Sequence, residues 1–156
     1  MKSDLIKLGL IGLIAVLLQL LIFRHLSYQA IEPDIVLLVL MWVIITQNRT
    51  KALLFAATTG LLTDFFLDLW GLNLLAKTLT TFIVYPLLIQ FKESRLIFTQ
   101  VFLLLFVISL LHNLFFLLSA YFTRVYHAEL VFFQILVGSS LLTAIIGSII
   151  YLLREN

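Results

Sequence analysis

The chain contains no cysteine, and that single absence removes structural disulfides, thiolate metal sites and cysteine nucleophiles together. Charge is scarce as well: 12% of the 156 residues are charged, against roughly 25% in a soluble domain. The formal charge of +2 is too small, and its basic residues too scattered, for a nucleic-acid partner. No nucleophile elbow, phosphate loop, metal-ligand cluster or dinucleotide fingerprint is present. The sequence therefore predicts neither an enzyme nor a bound cofactor.

What the chain has in abundance is apolar side chain: 63% of residues are hydrophobic and the mean hydropathy is +1.17. A spanning helix needs roughly 20 mainly apolar residues, so the length allows at most six spans and leaves no room for a folded soluble domain. The expected architecture is an all-α integral membrane protein, six transmembrane helices in one compact bundle, with approximate spans 5–23, 34–46, 52–69, 72–91, 96–122 and 130–153. Lys2 and Lys7 precede an apolar run from Leu8 to Phe23 that is longer than the core of a secretory signal. No small-x-small cleavage pattern precedes Arg24, so the run reads as a retained first span.

Basic residues fix the orientation. Lys2, Lys7, Arg49, Lys51, Lys92, Arg95 and Arg154 fall on one side of this layout and only Arg24 and Arg124 on the other, which places both termini in the cytoplasm. Tyr28, Trp70, Tyr121 and Tyr126 near the outer side, with Trp42 and Tyr151 near the inner, read as interfacial belts.

Polar residues inside the spans are the candidates for function, because intramembrane ionisable groups are costly. Glu32-Pro33-Asp34 opens the second span, with proline suited to the first helical position and acids favoured at the positive end of the helix dipole. That span is short, and its ends call for cover by protein. In the third span Ala56, Gly60, Asp64 and Asp68 are successive i+4 neighbours, a ridge of two small residues and two acids. Trp70-Gly71 closes it.

Asp64 and Lys77 are equally far from that turn, roughly 9 Å below the interface at ~1.5 Å per residue, so an Asp64–Lys77 ion pair is geometrically available. The alternatives are a neutral Asp64 bonded to a threonine and a Lys77 that snorkels to the headgroups. His112-Asn113 in the fifth span has no second histidine at ligand spacing and reads as an inter-helix polar contact, not a metal site.

The Glu32-Pro33-Asp34 helix start, the Gly60-Leu-Leu-Thr-Asp64 segment and the Leu69-Trp-Gly71-Leu-Asn73 turn together resemble the rod shape-determining membrane protein family MreD. The resemblance implies a polytopic protein of the bacterial cytoplasmic membrane, a scaffold of cell elongation and lateral peptidoglycan synthesis. It would bind MreC and work with MreB, RodA and a penicillin-binding transpeptidase. It also implies a fold similar to the S components of energy-coupling-factor vitamin transporters, and makes Pro33, Asp34, Gly60, Asp64 and Gly71 signature residues.

Close packing at small-residue ridges would receive the MreC helix. A partly hydrated outward-facing cavity near Asp34, Asp64 and Asp68 is a further expectation. The second reading on the same fold is a vitamin-binding S component. Span one, however, carries Gly9, Gly12 and Ala15 where those proteins have an Ala-x-x-x-Ala type docking motif.

Overall fold

In the computed structural model, residues 2–25, 27, 28, 30–92, 94, 96–123 and 129–155 are described; Arg95, Arg124 and Tyr126, used in the charge and aromatic readings, lie outside them. Among the described residues every regular element is a helix, and the connections carry one isolated antiparallel bridge, between Tyr28 and Ile31. It is an all-α membrane protein of six helical rods.

Helix α1 (Lys2–Leu18) continues as a π-helical turn over Gln19–Phe23. The next four are α2 (Ile35–Thr46), α3 (Arg49–Leu67), α4 (Leu72–Leu88) and α5 (Phe98–Phe122). The sixth rod is α6 (Glu129–Phe133), a π-helical Gln134–Ser139 and α7 (Ser140–Glu155). Five rods are long and apolar enough to cross a bilayer, and α2, at 12 residues, is the short one.

The helix ends follow local chemistry. The Asp34 side chain accepts from the Leu37 amide at 2.7 Å and caps α2. Asn48 does the same for α3 through the Lys51 amide at 3.0 Å, which is why α3 begins at Arg49 and not at Ala52 as expected. The turn from α3 to α4 is built from left-handed backbone: φ is 56° at Asp68, 48° at Trp70 and 93° at Gly71. Only Gly71 adopts that conformation without steric cost.

Helix α3 packs along α4, and α5 packs against both α4 and α7. The close approach of α3 to α4 depends on Gly60, where an added Cβ would lie 2.6 Å from Leu74 Cα and 2.8 Å from Asn73 O. One apolar cluster includes Leu37, Leu40, Ile44, Phe55, Val84, Leu88 and Ile108; a second includes Leu72, Ala76, Phe116, Leu117 and Ala120. Along the helices, the stretch between the two clusters carries buried polar residues: Lys77, Thr80 and Thr81 of α4, and Ser109, His112 and Asn113 of α5. Helix α2 is wrapped by α1, α3, α4 and α7, with Val36, Leu37, Leu40, Val43 and Ile44 all buried.

Because the backbone of α4 blocks any side chain at position 60, Gly60→Ala is expected to destabilise the protein by about 1–3 kcal/mol. Gly9→Ala, which meets nothing within 4 Å, should be tolerated. Thermal unfolding of the two variants in detergent checks the contrast.

Candidate functional site: an ion pair beneath a polar cavity

The connection from α1 to α2 dips into the bundle and is held there by side chains from both flanks. Gln19, in the π-helical end of α1, donates through Nε2 to Pro33 O and accepts from the Ile35 amide through Oε1, both at 2.8 Å. From the other side, Ser139 Oγ accepts from the Glu32 amide at 3.1 Å and Thr143 Oγ1 accepts from the Asp34 amide at 2.9 Å. These bonds satisfy backbone groups ahead of a helix start that would otherwise be buried without partners.

The clamp delivers Asp34 to Lys77. Asp34 Oδ1 caps α2, and Oδ2 lies 2.6 Å from Lys77 Nζ, whose side chain is almost wholly buried. Lys77 Nζ is also 3.5 Å from His112 Nε2, and His112 Nδ1 is 3.3 Å from Asn113 Oδ1. A proton on Nδ1 satisfies both contacts, with the ammonium donating to Nε2 and Nδ1–H donating to the amide oxygen. His112 Nδ1 is 3.8 Å from Asp34 Oδ2.

Asn113 completes the network by donating through Nδ2 to Ile135 O at 3.1 Å and to Ser140 Oγ at 2.9 Å. Ile135 lies in the second π-helical turn, a geometry frequent at functional sites. One turn deeper, the buried hydroxyls Thr80 Oγ1 and Ser109 Oγ have no hydrogen-bond partner.

Above the ion pair is a cavity of about 250 Å³, with Arg24, Glu32, Asp34, Lys77, His112 and Asn113 among its polar walls and Leu20, Leu67 and Phe116 among its apolar ones. Burial raises the Glu32 carboxyl above its ordinary range; Asp34 adds to the shift, and Arg24 and Lys77 oppose it. Among the described residues, no group of three or more His, Asp or Glu side chains is placed to hold a metal ion.

The expected Asp64–Lys77 ion pair is not formed. Asp64 instead accepts from the Asn73 amide (2.9 Å) and Asn73 Nδ2 (3.0 Å) through Oδ1, and from the Leu74 amide (2.8 Å) through Oδ2. Those amides belong to the first turn of α4, whose own cap residue, Gly71, has no side chain to offer. A carboxylate from the neighbouring helix takes the capping role, where the dipole also favours negative charge. Lys77 is one turn farther along α4, level with Asp34.

The expected cavity is therefore lined by Asp34 but by neither Asp64 nor Asp68. Asp68 is exposed at the left-handed end of α3. Pro33 is buried under the Gln19 amide, and the Ala56–Gly60 ridge is consumed by packing inside the bundle. Sequence reasoning overlooked Gln19, Glu32, Ser139 and Thr143 as site residues. A lone amide in the apolar run of α1 was the available signal for Gln19.

The family model described as rod shape-determining protein MreD matches residues 4–155. No curated protein and no solved structure matches the chain.

Replacing one partner of a buried pair strands the other charge, so Lys77→Met should cost about 3–5 kcal/mol, much of it relieved by adding Asp34→Asn. Double-mutant cycles on stability in detergent should show strong coupling for Asp34 with Lys77 and near-additivity for Asp64 with Lys77.

Glu32 gives a pH signature of opposite sign to the usual carboxylate. The folded protein holds the Glu32 proton more tightly than the unfolded chain does. Lowering pH through its raised folded-state pKa thus adds stability, until the ordinary value of 4.5 is passed and the unfolded chain is protonated too. The difference in thermal midpoint between wild type and Glu32→Gln, followed from neutral pH downward, should shrink as pH falls.

Proposed function

The chain belongs to the rod shape-determining MreD family, whose members act in the cell-shape machinery of the bacterial cytoplasmic membrane, and from that premise we propose that it is a non-enzymatic scaffold that binds the transmembrane helix of MreC. MreB, RodA and a penicillin-binding transpeptidase belong to the same proposed assembly.

The observation that supports this reading is the coverage of α1. Its span, Leu5–Phe23, is 28% buried against 39–44% for the other four long spans. Ile6, Leu10, Leu13 and Leu17 project outward around Gly9, which has nothing within 4 Å of its Cβ position. Gly12, by contrast, is filled from inside by Thr59 and Phe55. In lipid, helices associate through close packing at small residues more than through hydrophobicity, and an open glycine on an uncovered face lets a partner backbone approach. The exposed face of α1 is therefore the proposed seat of the MreC helix.

A vitamin-binding role draws no support from the cavity, whose volume of about 250 Å³ falls below the ~300–1,000 Å³ of pockets that enclose drug-sized ligands.

Gly9→Leu should reduce co-purification of MreC severalfold while leaving thermal stability unchanged, and cells relying on this variant should round up. Unchanged capture by Gly9→Leu would reject α1 as the docking face, and failure of the wild-type protein to capture MreC would reject the scaffold reading itself.

A further inference from the structure

We propose that the cavity beneath the connection from α1 to α2 is a receptor for a phosphoethanolamine-type group, a primary ammonium linked to a phosphodiester, with Glu32 accepting from the ammonium and Arg24 and Lys77 facing the phosphate.

The cavity is a built feature. Its roof is the clamped segment around Pro33, held by Gln19, Ser139 and Thr143, and both π-helical turns of the molecule contribute to its walls.

The ligand class follows from which polar groups remain unused. Both Asp34 oxygens are engaged, by the Leu37 amide and by Lys77. The Gln19 amide is spent at both ends, and the Asn113 amide donates twice and accepts once. Among the described residues, neither the Glu32 carboxylate nor the Arg24 guanidinium makes a side-chain hydrogen bond or a close salt bridge, and Arg24 and Lys77 act on Glu32 only at longer range, although both Glu32 and Arg24 line the cavity and Glu32 is half-buried. Lys77 has three ammonium protons and two neighbours, Asp34 and His112.

The unused set is thus one anionic acceptor and two cationic donors. A simple anion would meet repulsion from Glu32 and Asp34, and a simple cation would meet repulsion from Arg24 and Lys77. A zwitterion satisfies both signs. The volume of about 250 Å³ lies just under the ~300–1,000 Å³ of drug-sized pockets, enough for a small headgroup and too little for acyl chains. Leu20, Leu67 and Phe116 supply the apolar wall that the connecting methylenes require.

The group can arrive on an aminophospholipid or as a free glycerophosphodiester. The test uses the full chain in phosphatidylcholine nanodiscs. Glycerophosphoethanolamine and glycerophosphocholine are titrated calorimetrically, and in parallel phosphatidylethanolamine is mixed into the discs and the lipid retained on the protein is identified by native mass spectrometry.

The ethanolamine compound or its lipid should bind at least tenfold more tightly than the choline counterpart, whose quaternary nitrogen has no N–H to donate. Glu32→Gln and Arg24→Gln should each weaken binding about tenfold; Arg24 is exposed at the rim, so its variant is not expected to disturb folding. Saturation by the soluble diester identifies a free solute as the source, and retention of the lipid alone identifies the membrane. Equal binding of the choline compounds, no binding of either form, or unaltered affinity in both variants would overturn the proposal.

Discussion

An ammonium and a carboxylate 2.6 Å apart inside an apolar bundle are the constraint that most of this fold is arranged to meet. Moving each ion out of water costs several kcal/mol after relaxation, and their attraction repays this only when geometry and further hydrogen bonds are favourable. Lys77 sits in the second turn of α4, inside the bundle, so its partner has to be carried down to it. The loop into α2 performs that task, and Gln19, Ser139 and Thr143 exist in the structure as the ties that keep the loop at depth. His112 and Asn113 extend the same network to α5 and the sixth rod, so four of the six rods meet through hydrogen bonds at one level.

The second intramembrane acid solves a different problem. Asp64 accepts three hydrogen bonds from the start of α4 and needs no cation. Charge-assisted bonds to backbone amides are roughly twice as strong as neutral ones, which accounts for a fully buried carboxylate beside a turn with three left-handed residues. The two aspartates thus divide the labour: one fixes the α3–α4 hairpin and the other ties α2 to it.

Six helices, their order and most of their ends were legible from the apolar runs, the Glu32-Pro33-Asp34 start and the Trp70-Gly71 turn. The partner of Lys77 was not. Counting residues from a turn gives depth along two antiparallel helices but says nothing of how either is rotated about its axis. Here Asp64 points at the first turn of α4 and Lys77 at α2. Asp34 was read as a helix opener and a cavity residue but not as the partner of Lys77, since a residue beside a proline at the start of a span is expected near water. Nothing in an apolar run announces a π-helical turn either, and both such turns border the cavity. The polar residues that matter most were therefore visible by type and invisible by partner.

Helix α2, with 12 residues, covers about 18 Å of a hydrocarbon layer roughly 30 Å thick. No lipid environment alone can hold such a segment across the membrane, and its buried side chains have no affinity for one arrangement of acyl chains over another. Its position becomes defined only once α1, α3, α4 and α7 have closed around it. The depth of α2 is therefore a property of the bundle and not of its own length, and Lys77, by holding the carboxylate at its tip, fixes where the short helix sits.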